Sequence, residues 1–323
     1  MISDDIKINE ETSMAGGHLP VMLEEAVGLL NVRPNHLYID ATAGAGGHLK
    51  RICQKAGSGK GIIAMDQDSL ALHKLSVNSG PLANEIKFVH SNFANLKTAL
   101  SDLDINTVDG GIIADLGISS NQLDDSQRGF SFQRQGPLDM RMNTNNRITA
   151  ADLVNDLNET ELANIIYKYG EERSSRAIAK AIIKNRPFAN TSELANVVEK
   201  VVRYRGHKSK LHPATRTFQA LRIAVNNELE NLEIFLEQAN SILTPGARLV
   251  IITFHSLEDR IVKRFFTHMA SPCICPPRQP ICTCNKKREL LIITPKPLIA
   301  GEQEILTNIR SRSAKLRAVE KLP

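Results

Sequence analysis

The stretch Leu37-Tyr38-Ile39-Asp40-Ala41-Thr42-Ala43-Gly44-Ala45-Gly46-Gly47-His48 decides the fold. Three apolar residues ending on an acid read as a short buried strand, the glycines as a tight loop, and Leu49 to Ala56 as a helix. A second strand, Gly61 to Met65, ends in Asp66, where nucleotide-binding α/β folds place an acid that accepts hydrogen bonds from ribose hydroxyls. Glycines without a Cβ let backbone approach a ligand closely, although a tight turn with no ligand would use the same residues. The loop does not have the dinucleotide spacing Gly-x-Gly-x-x-Gly, because the third glycine is missing and His48 comes next.

Working outward, Ile86 to His90 reads as a third strand running into Ser91-Asn92-Phe93, and Gly111 to Ala114 as a fourth ending at Asp115. In an open parallel sheet, ligands bind beyond the carboxyl ends of the strands, so Asp40, Asp66, Asn92, Phe93 and Asp115 are expected to converge. Any one of these acids alone could equally cap a helix or make a turn. After Met142 the periodicity becomes helical. Asn158-Glu159-Thr160-Glu161 has the form of a capping box, with Gly170 expected to stop that helix. Phe218, Leu221, Val225, Leu229, Leu232, Leu236, Ala239 and Leu243 predict one long amphipathic helix. Pro245-Gly246 ends it, and Arg248 to Phe254 reads as a fifth buried strand ending at His255-Ser256.

Of 323 residues, 42% are hydrophobic and 23% charged, which excludes collagen-like and disordered classes. The net charge of +5 is too small to announce a nucleic-acid partner, but its distribution is patched. Residues 201–222 hold six basic side chains and no acid, and Asn285 to the end holds nine basic against four acidic. The first patch could be a solvated surface or an RNA contact. In the second, Arg310, Arg312, Lys315 and Arg317 could serve RNA or lie on an edge strand, where positive charge discourages sheet pairing. No stretch approaches the about 18 uncharged apolar residues of a membrane span, and the acidic start does not resemble a signal peptide, so a cytoplasmic location is expected. Cys273-Ile274-Cys275 and Cys282-Thr283-Cys284 could bind zinc or remain reduced thiols, since Cys-x-Cys is tighter than the usual ligand spacing. No metal is assigned to the active site.

Several long stretches resemble one family, the ribosomal RNA small subunit methyltransferase H enzymes, which are 16S rRNA cytosine-N4-methyltransferases. They include Gly17 to Ala26, Asp40 to His48, Asp115 to Asp124, Arg128 to Phe132, Gly136 to Met142, His212 to Ile223 and Phe254 to Arg260, in order along nearly the whole chain. The resemblance implies a class I S-adenosylmethionine-dependent methyltransferase, an α/β Rossmann-like sheet with a helical domain inserted between strands four and five. The expected division is a flexible extension over 1–16, a methyltransferase domain over 17–138 plus 212–323, and a helical insertion over 139–211. Carried over residue by residue, the S-adenosylmethionine contacts fall on Gly46, Gly47, His48, Asp66, Phe93, Asp115 and Gln122. His48 is expected to donate to the cofactor carboxylate, Asp66 to hold the ribose diol and Phe93 to lie near the adenine.

The implied substrate is a cytidine in the decoding region of 16S rRNA, within the small ribosomal subunit. Arg203, Arg205, Lys208, Lys210 and Arg216 are the expected RNA contacts. Cytosine N4 is a poor nucleophile, so an acceptor for its departing protons is needed. Many amino-methyltransferases carry an Asp/Asn/Ser-Pro-Pro-aromatic motif after strand four, and Asp115-Leu116-Gly117-Ile118 departs from it. The acceptor therefore stays open among Asp115, Asp139 and His255. A DNA amino-methyltransferase and a ribosome-associated RNA-binding protein with a degenerate pocket are the competing readings. A homodimer is left open.

Overall fold

The computed structural model describes residues 19–57, 61–204, 212–276, 279 and 281–323. The expected extension over 1–16, and Arg205, Lys208 and Lys210, lie outside the described residues.

The chain begins with α1 (Leu23–Leu30), β1 (Tyr38–Asp40), α2 (Gly47–Ala56), β2 (Ile62–Asp66), α3 (Ser69–Asn78), β3 (Ile86–His90), α4 (Leu96–Ser101), β4 (Gly111–Asp115) and α5 (Ser120–Asp124). Helices α6 (Ala150–Asp156), α7 (Glu159–Gly170), α8 (Ser175–Lys184), α9 (Thr191–Tyr204), α10 (Thr215–Asn226) and α11 (Glu228–Ile242) follow. The chain returns to the sheet with β5 (Arg248–Thr253), α12 (Ser256–Ala270), β6 (Leu290–Ile292), β7 (Leu298–Ile299), α13 (Glu302–Thr307) and β8 (Lys315–Lys321). Strand order is β3-β2-β1-β4-β5-β8-β6, with β7 also paired to β8. The first five strands are parallel and β8 runs antiparallel between β5 and β6. This is the class I methyltransferase sheet, Rossmann-like and doubly wound, as expected.

Each central strand is buried on both faces, which is why its sequence is continuously apolar rather than alternating. Ile39, Ile63, Met65, Ile112, Leu249 and Ile251 pack on one side with Phe235 and Leu236 of α11 and Phe266 of α12. Tyr38, Ile62, Ala64, Ile113, Val250 and Ile252 face the other side with Leu30 of α1 and Leu49 and Ile52 of α2. The register aligns Asp40 with Ala64 and Ile113, Asp66 with His90, and Asp115 with Ile252, so the three acids share one edge of the sheet.

A third cluster holds the helical unit. It joins Phe130, Leu138 and Met140 with Leu162, Ile166, Ile178, Leu194 and Val198, and extends into Phe218, Leu221 and Val225 of α10. The predicted single long helix is therefore two. The apolar period is unbroken, but α10 packs into the helical unit and α11 onto the sheet, and Asn227 turns between them in the left-handed region at φ 49°. Asn226 pins the turn: its Oδ1 accepts the Met142 N–H at 2.7 Å and its Nδ2 donates to Met140 O at 2.8 Å. The Asn226-Asn227 pair was the local signal for a break. Gly170 ends α7 as expected, but the left-handed residue is Glu171 at φ 48°. Gly170 instead lets α10 approach, since a Cβ there would sit 2.5 Å from Arg216 O. Lys315 and Arg317 do not lie on an edge strand; on β8, between β5 and β6, both pair with Asp259, at 3.1 and 2.6 Å. No described helix is long and apolar enough to cross a membrane.

Replacing Asn227 with alanine keeps a Cβ in the left-handed turn but removes asparagine's local compensation, at a cost of about 1 kcal/mol. Asn227→Gly should fall well short of that loss. Urea denaturation of both variants measures the difference, and equal stabilities for Asn227→Ala and wild type would mean that the turn is not constraining.

Candidate active site

The carboxyl ends of the parallel strands open onto a cavity of about 350 Å³. Its wall includes Gly44, Gly47, His48, Asp66, Phe93, Asp115 and Gln122. Of the sequence-predicted cofactor contacts, only Gly46 is missing from this lining. Gly46 takes φ 82° to start α2, and a Cβ on it would overlap Leu75 Cδ1 at 2.2 Å. A Cβ on Gly47 would strike the Pro20 ring at 2.3 Å. This doublet is thus needed at least as much for close packing as for a ligand. Gly44, which sequence reasoning passed over, lines the cavity, and its N–H donates to Asp66 Oδ2 at 2.8 Å.

Asp66 also accepts the Asp68 N–H on Oδ1 at 2.8 Å, which fixes the carboxylate at the end of β2 and leaves further lone pairs for ligand hydroxyls. Asp68 next to it is held by Gln122 Nε2 and Arg128 Nη1, both at 2.8 Å to Oδ2. Burial works against the charge of Asp68, but these two donors bring its carboxyl below the usual range. Gln122 is held at both ends: its Oε1 accepts the Ser119 N–H at 3.0 Å, closing a capping box on α5, and one N–H of its amide is left over at the cavity wall. Phe93 stands edge-on to Phe235, with ring centroids 5.1 Å apart.

His48 is buried, and its Nε2 lies 3.0 Å from Val21 O, a carbonyl that can only accept. Burial lowers its pKa to about 4, so the ring is neutral and its single proton is spent on Val21. His48 therefore cannot donate to a cofactor carboxylate, contrary to the sequence expectation; its free Nδ1 is an acceptor, 3.9 Å from Asp115 Oδ2. Asp115 Oδ1 is shut off from solvent without a hydrogen-bond partner. Desolvation first, then the nearby Asp40 and Glu258 carboxylates, push the Asp115 pKa well above the usual range.

The other two acceptor candidates are placed elsewhere. Asp139 is outside the cavity lining and grips Arg141 through both oxygens, at 2.8 and 2.7 Å. His255 caps α12, its Nδ1 accepting the Glu258 N–H at 3.3 Å, and it too is absent from the lining. Each sits at a strand end or insertion boundary in sequence, but a neighbouring residue claims its side chain. The cavity wall instead includes Glu258, Glu228 and Arg222, which sequence reasoning had not selected. Arg222 donates to both oxygens of Glu228 at 2.8 and 2.7 Å, a two-point ion pair across the break between α10 and α11. Arg222 and Glu258 lie inside the quoted family stretches, but nothing in their local spacing marked them. Among the RNA candidates, Arg216 borders a surface cleft with Lys168, Arg173 and Arg260, and Arg203 is exposed and pairs with Glu199.

A family model described as the MraW methylase family matches residues 15–322. The chain belongs to the MraW methylase family. Among curated proteins it is 47% identical over 309 residues to ribosomal RNA small subunit methyltransferase H of Clostridioides difficile, covering 94% of this chain and 99% of the relative. It is 48% identical over 312 residues to the protein of that name from Carboxydothermus hydrogenoformans, covering 96% and 99%.

This methylase is a methyltransferase that uses S-adenosylmethionine, and its cavity fits that donor. A fixed carboxylate at the end of β2 suits a ribose diol, Phe93 and Leu232 supply apolar wall, and the part-exposed Asp115 carboxyl on the same wall is one whose ionised form a positively charged ligand would favour. Asp40 lies behind the cavity, nearly inaccessible, with Oδ1 accepting the Thr42 N–H at 3.1 Å. Burial and then Asp66 push its pKa up to about 7. A raised carboxyl pKa means that the folded state holds the proton more tightly than the unfolded chain, whose value is 3.8. Stability of the ligand-free methylase should therefore fall as pH rises from about 4 through about 7, by up to about 4 kcal/mol from this residue. Asp40→Asn should remove that part of the slope. Urea midpoints for wild type and variant across this range test it, and a stability difference independent of pH would contradict the assignment.

Proposed function

We propose that this methylase transfers a methyl group from S-adenosylmethionine to N4 of a cytidine in 16S rRNA, in the decoding region of the small ribosomal subunit. The observation that carries the reading is the acidic cavity at the strand ends, with Asp66 and Asp115 on its wall, in a chain nearly half identical over its length to proteins named for small-subunit RNA methylation.

S-adenosylmethionine supplies a methyl already activated by the positive charge on sulfur. What remains for the protein is to place the amine in line with that methyl and to help it become nucleophilic. Asp66 holds the ribose hydroxyls, and Phe93 and Leu232 bound the base of the donor. Asp115 accepts a hydrogen bond from the amine of the target base, which draws its lone pair out of ring conjugation; as the new N–C bond forms and the methyl–sulfur bond breaks to leave S-adenosylhomocysteine, the proton the amine sheds passes to Asp115. A positive charge in the cavity works against the burial cost and the repulsion from Asp40 and Glu258, and so favours the ionised form of Asp115 for that task.

The target base must leave its stack to reach the methyl. Arg173, Arg216 and Arg260 border one cleft and Arg203 is exposed on α9, positions suited to the phosphates on either side. The helical unit, proposed over 139–211 together with α10, then acts as a clamp for the flanking RNA. Arg128 links the two parts. It reaches Asp68 at the sheet edge and, through Nη2, the carbonyls of Arg141 and Met142 at 3.0 and 2.8 Å.

Labelled S-adenosylmethionine should be incubated with small subunits from a strain lacking the activity, with free 16S RNA, and with duplex DNA, and the products digested to nucleosides. Labelled N4-methylcytidine in an RNA arm is expected. Label in DNA alone would point to the DNA enzyme, and no label in any arm to a binding protein.

A further inference from the structure

Between the end of α12 and the start of β6 the chain makes a long excursion whose described residues are mostly exposed. Ile274 and Ile281 are 54% and 75% exposed, so among the described residues no apolar core orders this connection. Its base is closed by one backbone bond, Glu289 N–H to Met269 O at 2.9 Å. A connection of this length ordinarily needs some other means to offset its conformational entropy.

The four cysteines meet at its centre. Cys273 Sγ lies 3.5 Å from Cys282 Sγ and 3.7 Å from Cys284 Sγ; Cys282 Sγ lies 3.9 Å from Cys275 Sγ and 3.5 Å from Cys284 Sγ. All four sulfurs fall within 4.8 Å of one another. In a tetrahedral thiolate site with metal–sulfur bonds of about 2.3 Å, the edge between two sulfurs is about 3.8 Å. The observed distances cluster around that edge, whereas a pair arranged as a disulfide would stand at about 2.05 Å. Backbone N–H groups also point at the sulfurs, Ile274 N at 3.5 Å from Cys284 Sγ and Cys275 N at 3.3 Å from Cys273 Sγ, donors that favour thiolate over thiol.

We propose that Cys273, Cys275, Cys282 and Cys284 bind one zinc ion as a closed structural knuckle. Four thiolates around a divalent ion leave two negative charges, and Lys286, Lys287 and Arg288 follow directly in the chain. The single-residue Cys-x-Cys spacing, tighter than usual, works because the two pairs come from opposite arms of the excursion and face each other across it. Topology separates this ion from the chemistry. Leu290 of β6 pairs with Lys321, the far end of β8, whereas Lys315 at the near end pairs with Thr253, where β5 reaches the cavity edge. The knuckle therefore sits at the opposite rim of the sheet, and with four protein ligands it leaves no open position for substrate.

The test is metal analysis of the full chain, purified without a histidine tag or chelator. About one zinc ion per chain is expected, released by a thiol-specific mercurial. Replacing it with cobalt should produce the visible bands of tetrahedral cobalt and an intense thiolate-to-metal band in the near ultraviolet. The double variant Cys282→Ser, Cys284→Ser should lose the metal and melt at a lower temperature, while S-adenosylhomocysteine binds within about twofold of wild type at a temperature where both are folded. Several results would overturn the proposal. They are sub-stoichiometric metal with all five thiols freely reactive, cobalt without a thiolate band, iron in place of zinc, or paired disulfides by mass spectrometry. Loss of cofactor affinity in the folded double variant would overturn the structural role. None of these readouts depends on which nucleic acid is methylated.

Discussion

Three carboxylates stand at the edge of one sheet because the register of β1, β2 and β4 leaves them nowhere else. Asp40, Asp66 and Asp115 end neighbouring strands, β1 flanked by β2 and β4, with Asp40 buried and Asp66 and Asp115 partly so. Gathering like charges in such a place is unfavourable, and much of the local structure answers that cost. The Gly44 and Asp68 N–H groups hold Asp66, the Thr42 N–H holds Asp40, and Gln122 with Arg128 neutralises Asp68. Asp115 alone receives no such answer on Oδ1. A positively charged ligand beside Asp115 would offset part of that cost.

The same contacts couple the sheet to the helical unit. Arg128 joins Asp68 to the carbonyls of Arg141 and Met142, Asn226 holds Met140 and Met142, and the Arg222–Glu228 pair spans the turn from α10 to α11. Each of these residues touches the cavity or a neighbour that does. Movement of the helical unit against the sheet would therefore disturb the site itself, a physical route by which docking of RNA on the helices could order the reacting groups.

The sheet was legible because parallel strands buried on both faces must be short, apolar and closed by polar ends, and three such runs, β1, β2 and β4, stand between Leu37 and Asp115 with the half-exposed edge strand β3 among them. The convergence of Asp66, Phe93 and Asp115 followed from topology alone. Other features were hidden for definite reasons. The α10–α11 break falls inside an uninterrupted apolar period, because periodicity records that a face is buried but not against what. Asp139 and His255 look free in sequence and are claimed by Arg141 and by the α12 cap, contacts that only three dimensions reveal. His48 was placed correctly in the wall and given the wrong role, since the acceptor that takes its proton, Val21 O, is a backbone atom 27 residues away.

The account stands or falls on Asp115. Single-turnover transfer to the small-subunit RNA substrate and calorimetric binding of S-adenosylhomocysteine should be measured on one preparation of Asp115→Asn. An asparagine keeps the shape and removes the charge. The account predicts a transfer rate lower by about 10²–10³-fold with affinity for the uncharged product kept within about threefold. Transfer at the wild-type rate, or product affinity that falls as far as the rate, would contradict it.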